Sequence, residues 1–188
     1  MKLEFNFVAR MAIVAMVLAF ASSLASAQLN SNTQTIALSA TLSESLTVSL
    51  SASSVNFNLT AGSATNAGST GVTATTTWVL KPSRTALAVY AYFASAAAAL
   101  TDGGGNNIPS SAFFIGNNGG ASTAVTQTFA GFGVAGSALR LANVTITNAN
   151  RAGNRTDAML YNINLSTLPQ LPAGTYTGTL NIQAQATP

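Results

Sequence analysis

The sequence predicts an all-β protein built as an antiparallel β-sandwich, and three observations carry that expectation. Along residues 36–50 apolar and small polar side chains alternate. Beyond them, short runs rich in Val, Thr and aromatic residues are divided by Gly, Asn and Pro. A period of two belongs to strands and not to helices, and short strands with such turns build sandwiches or barrels. Finally, there is no Cys, so no disulfide can staple the fold and it must depend on a buried core.

The amino end reads as an export signal. Lys2 and Arg10 make a basic start, residues 11–20 are an uncharged apolar run, and Ala25-Ser26-Ala27 is a small-x-small cleavage pattern. The run is too short for the ~20 residues that a spanning helix needs. Residues 1–27 are therefore expected to be a cleaved signal peptide and 28–188 a single domain, secreted to the periplasm, cell surface or medium. Residues 86–100 are the most apolar later stretch. They are also too short to span a bilayer, and their small and aromatic residues suit a buried strand, so no membrane span is expected in the mature chain.

In the first alternating run Ile36, Leu38, Ala40, Leu42, Leu46, Val48 and Leu50 hold the even positions, with Glu44 the single break. One strand over this run would be about 50 Å long at ~3.3 Å per residue, beyond the usual length, so Glu44 is expected to mark the boundary between a pair of strands. Val55, Phe57 and Leu59 repeat the pattern ahead of a loop at 61–71. Further strands are expected at 72–80, 85–94, 112–115, 125–132, 139–147, 158–165 and 175–186, with turns at 81–83, 102–107 and 116–120. The alanines at 96–99 allow at most one helical turn, because glycines lie close by.

Charge is scarce. After residue 27 the cations are Lys81, Arg84, Arg140, Arg151 and Arg155 and the anions Glu44, Asp102 and Asp157, a balance of +2. No basic stripe exists for a phosphate backbone, so no nucleic-acid partner is expected. A nearly uncharged polar surface gives little repulsion between copies, which favours self-association.

With no His and no Cys, Ser-His and Cys-His nucleophiles and histidine metal sites are excluded. The three acids lie on separate segments; Asp102 and Asp157 stand beside turn residues, and Lys81 stands in a turn. Asp102 with Asn106 would offer calcium a single carboxylate, a weak hard-cation site. The glycine-rich loops lack the Gly-Lys-Ser/Thr that a phosphate loop requires. A protein without enzymatic activity or cofactor is expected. Arg151, Arg155 and Asp157, around Gly153, are expected at a solvated hairpin tip. The sequons at Asn58, Asn143, Asn154 and Asn164 are of the number that chance supplies in so Asn- and Thr-rich a chain. Trp78, Tyr90 and Tyr92 admit two readings: anchors of the core, or an exposed platform on which a monomeric carbohydrate-binding module would stack polysaccharide.

The carboxyl end reads Leu171-Pro172-Ala173-Gly174-Thr175-Tyr176, then a strand in which Tyr176, Leu180, Ile182 and Ala184 share one face. This ending, with the signal peptide and the alternating amino-terminal strand, resembles the spore-coat-protein-U-like family of chaperone–usher pilus subunits. The resemblance implies an immunoglobulin-like, pilin-like sandwich that lacks one strand and is completed by a neighbour's amino-terminal strand. It implies Ile36, Leu38, Ala40 and Leu42 as donor residues, and Tyr176, Leu180, Ile182 and Ala184 as the strand bordering the acceptor groove. The partners it implies are related subunits and a periplasmic chaperone. The function expected is that of a secreted structural or adhesive surface protein, a fimbria-like subunit. The cysteine pair common in such pilins is missing here.

Overall fold

The computed structural model describes residues 29–168 and 170–188; the expected signal peptide lies outside them. The chain divides into Met1–Thr41 and Leu42–Pro188. Residues 29–41 of the first unit are exposed and carry no regular secondary structure. A strand exists only by pairing, and the row from Ile36 has no ladder, so the first of the two strands expected there does not form.

The second unit is all-β and antiparallel, and its strands form two main sheets. The larger takes β1 (Ser45–Leu50), β3 (Val72–Val79), β10 (Ala152–Ile163), β7 (Phe113–Asn117) and β8 (Thr123–Ala124) in the spatial order β1-β3-β10-β7-β8, with the short β2 (Asn66–Ala67) on the end of β10. The smaller has the order β11-β4-β9, from β11 (Asn181–Thr187), β4 (Ala86–Tyr92) and β9 (Ala138–Thr145). A two-stranded hairpin of β5 (Leu100–Thr101) and β6 (Asn107–Ile108) stands apart. The single helical element among the described residues is a 3-10 turn at Ser110–Ala112, not at 96–99.

The period-two pattern is what aligns these strands. On β3, Val72, Ala74, Thr76 and Trp78 point inward and are buried, while the alternate threonines face out, where β-branched residues suit a pleated surface. Leu87, Val89 and Ala91 are the inward row of β4. The largest cluster joins Val72, Ala74, Met159, Tyr161 and Ile163 of one sheet to Ala91, Phe93 and Leu139 of the other, and a second gathers Trp78, Leu80, Leu87 and Ile146.

Two expectations are corrected. Residues 125–132 are not a strand but belong to a loop that folds over the outer face of the smaller sheet. There Phe132 stacks on Tyr90 at 4.0 Å and Phe129 tilts against it at 4.7 Å, while Gly131, Gly133 and Gly136 take positive φ to turn the chain. Burying three rings together outweighs a ladder along this segment. Asp157, in turn, is no hairpin tip: it lies inside β10 with no exposed surface.

Its carboxylate accepts Arg155 Nε at 2.9 Å and Nη2 at 2.6 Å, Asn117 Nδ2 at 3.0 Å and Asn118 Nδ2 at 3.1 Å. Asn118 is the one non-glycine at positive φ among the described residues, and its Oδ1 accepts the Ala158 N–H at 2.8 Å. The turn after β7 is thus docked onto β10. Burial pushes the Asp157 carboxyl up, but the donors from Arg155, Asn117 and Asn118 outweigh it and hold it below the usual carboxylate range. A lowered folded-state pKa stabilises the fold above the unfolded value and is lost as pH falls through the folded one. Asp157→Asn is expected to cost about 1–3 kcal/mol at neutral pH, since it weakens the bonds to Asn117 and Asn118 and leaves the Arg155 guanidinium, a third exposed, to solvent. Thermal unfolding should show the gap to wild type narrowing in acid, as wild-type Asp157 itself protonates.

Candidate functional site: a groove between two unpaired strand edges

β1 ends the larger sheet and β11 ends the smaller. The two lie against each other at one side of the sandwich, yet neither is the other's ladder partner. Each therefore keeps a row of backbone N–H and C=O groups without a strand partner. At the Leu50 end the edges diverge and leave a groove of about 980 Å3.

One wall is residues 50–59, where Val55, Phe57 and Leu59 are half-buried and the residues between them exposed. Their alternation is as expected, but a single bridge, Phe57 to Gly68, is all the pairing they make. The other wall is residues 171–182, expected as strand from 175 but regular only from Asn181. The floor is core: Phe93, Phe113, Tyr161 and Ile163. The Tyr161 hydroxyl donates to the Met159 sulfur at 3.7 Å, and burial pushes its pKa up to about 12. The groove thus reaches down to core residues that are themselves 0–7 % exposed.

The Pro-Ala-Gly-x-Tyr ending builds the second wall. Tyr176 donates its hydroxyl to the Pro172 carbonyl at 2.9 Å and closes the loop on itself, as a tyrosine corner does. Desolvation, with the nearby Asp102 charge, raises the Tyr176 pKa. Thr177 exchanges two backbone bonds of 2.9 Å with Thr101, which ties the wall to the β5–β6 hairpin. Between these ties Gly178 presses on the Ala99 carbonyl, where a Cβ would collide with the oxygen. Asp102 braces the hairpin's own turn, accepting Gly104 N–H at 2.8 Å, Asn106 N–H at 3.0 Å and Asn106 Nδ2 at 2.6 Å. These bonds pull its carboxyl below the ordinary range.

Of the residues expected at an acceptor groove, Tyr176, Leu180 and Ile182 line it. Ala184 does not; it packs with Ala186 and Leu46 against the Trp78 cluster, past the groove's end. The wall at 50–59 was missed as a component of the site, although the Val55-Phe57-Leu59 row was its signal. Of the expected donor row, Ile36, Leu38 and Leu42 are 84–91 % exposed and Ala40 is exposed. The three aromatics weighed as a sugar platform are not brought together. Trp78 is buried on the inner face of the larger sheet, its indole N–H donating to Asn150 O at 2.9 Å. Tyr90 lies beneath Phe132 on the outer face of the smaller sheet, and Tyr92 is edge-on to the same ring with its hydroxyl on Gln183. Among the described residues no cluster of three or more acids could hold a metal ion.

No family model, no curated protein and no solved structure matches this chain.

Gly178→Ala is expected to push the 171–182 wall off the hairpin at a cost of about 1–3 kcal/mol, the usual penalty of overpacking. Urea unfolding measures the loss, and a free energy unchanged from wild type would mean that the wall yields without resistance.

Proposed function

We propose that the protein is a secreted structural subunit, fimbria-like, which assembles by β-strand addition: Ile36, Leu38, Ala40 and Leu42 of one copy enter the groove of the next. The observation that carries this is the groove itself: core residues form its floor, its walls at 50–59 and 171–182 make little strand pairing, and it opens beside the ends of the edge strands β1 and β11. An extended strand meets all three of its demands at once, with side chains for the floor and backbone groups for both edges. The chain contains a segment of that kind in 36–42, with apolar residues at alternate positions, exposed and without a ladder.

Magnitudes favour a backbone-led interaction. Burying Ile36, Leu38 and Leu42 is worth roughly 5–9 kcal/mol together. Ordering the seven residues from Ile36 to Leu42 costs about 7–14 kcal/mol. Side-chain burial alone does not hold the strand, so ladder bonds at ~1 kcal/mol each must supply the remainder. A non-catalytic role fits a site made of apolar side chains and backbone. Before assembly the same groove would suit a periplasmic chaperone's strand, and the completed sandwich would be immunoglobulin-like.

Size-exclusion chromatography with light scattering on residues 28–188 is expected to show polymers that vanish when 28–42 are deleted. Leu38→Asp should abolish them through the floor, and Ser39→Pro through the ladder, since Ser39 faces away from the apolar row but loses its N–H. A full-length chain that stays monomeric at high concentration, or polymers that survive the deletion, would sink strand addition.

A further inference from the structure

The edges that border the groove do not stay apart along their whole length. At the pole where β1 begins, Leu46 packs with Ala184 and Ala186 over Trp78, Leu87 and Ile146. No ladder joins β1 to β11 there. One side chain spans the two instead. Arg84, in the turn between β3 and β4, donates Nε and Nη2 to the Glu44 carboxylate at 2.9 and 3.3 Å, and Nη1 to the Ala186 carbonyl at 3.3 Å. Lys81 adds a backbone N–H to Glu44 at 3.4 Å and an ammonium at 3.9 Å. Only a guanidinium offers donors in a fixed planar fork that can reach a carboxylate and a carbonyl together. A depression of about 250 Å3 lined by Glu44, Leu46, Leu80, Arg84 and Ala186 lies at the same place, so this seam is bridged more than it is filled.

We infer that the Glu44–Arg84–Ala186 bridge is a latch: it holds the Trp78 end of the two edges together and confines an incoming strand to the open stretch of the groove. The inference takes its occupant from the strand addition proposed above. Lengths agree with it. The row from Ile36 to Leu42 spans about 23 Å when extended, and a ten-residue wall such as 50–59 reaches at most about 33 Å. The row is accommodated without separating the seam, and the break that Glu44 makes in the apolar pattern is the side chain that closes it. The unassembled subunit thereby keeps one end of its open side shut.

Trp78, the only tryptophan, lies 4 % exposed under that seam and reports on it. Acrylamide quenching of the purified chain is expected to be weak. In Arg84→Met it rises, the open population growing by up to about fivefold, which is what a partly exposed ion pair is worth. Glu44→Gln, which keeps the side chain's length, gives a smaller rise, and Lys81→Met gives none. A fluorescein-labelled peptide of residues 34–43 added to the Leu38→Asp chain, whose grooves no neighbour fills, is expected to bind, read by the label's anisotropy; the unlabelled peptide leaves Trp78 quenching as it was. Quenching unaltered in Glu44→Gln and in folded Arg84→Met overturns the latch, as does a bound peptide that exposes Trp78 in the Leu38→Asp chain. Should Arg84→Met fail to fold, Glu44→Gln decides alone. A peptide that does not bind removes strand addition, while the comparison of variants, which needs no ligand, still judges the bridge.

Discussion

The missing hydrogen-bond ladder between β1 and β11 is the constraint on which the rest depends. A β-sandwich covers its core by closing two sheets on each other, and its sides are sealed where edge strands meet or are roofed. Here the two edges face one another with no ladder joining them. Phe93, Phe113 and Tyr161, all buried, form the floor of the groove that opens beside these edges. The walls show the same deficit. Val55, Phe57 and Leu59 have the alternation and half-burial of a strand but make a single bridge, and residues 171–180 are mostly exposed turn and loop, tied by Thr177 to Thr101.

Away from the gap the fold is secured by means that do not involve it. Val72 to Trp78, Leu87 to Ala91 and Met159 to Ile163 close a conventional two-layer core. Asp157 sets the turn after β7 against the middle of β10 through Asn117, Asn118 and Arg155. Gly153 lies flat beneath the Trp78 ring, where a Cβ would come within 3.1 Å of it, so the largest side chain in the chain is matched to the smallest. A sandwich braced in this way can stand with its two edge strands unjoined.

The amino-terminal row and the groove are complementary in kind. Each lacks what the other has: the row has apolar side chains and an unpaired backbone, the groove an apolar floor and two unpaired edges. The row has no ladder, and the groove's walls are tied by little more than the Phe57–Gly68 and Thr101–Thr177 bridges. The low charge of the surface removes the repulsion that would otherwise hold copies apart. The scarce charges that do occur near the gap, Glu44, Arg84 and Lys81, are spent at its closed pole and leave the open stretch uncharged.

Strand identity was legible wherever one face is buried by the chain's own partners. The alternation at 72–80, 85–94 and 139–147 led directly to β3, β4 and β9, because a period of two has one structural meaning when the opposite sheet is present. The same alternation at 36–42, 55–59 and 175–180 was as clear and did not become a ladder, since pattern specifies which face is apolar and says nothing of whether a neighbour exists. Val125 to Phe132 was misjudged for a related reason: a run of β-formers is indifferent to whether its aromatics pair along a sheet or stack over Tyr90. Asp157 near a glycine reads as a turn until Asn117 and Asn118, some forty residues earlier, are brought to it. By itself, then, the sequence determined the fold class, the inward rows and the apolar segment without a home, all of which are local properties of spacing. Only the tertiary structure decided where the sandwich is left open and what holds its other end shut, because an edge is defined by the absence of a partner, and absence is settled only when every strand has been placed.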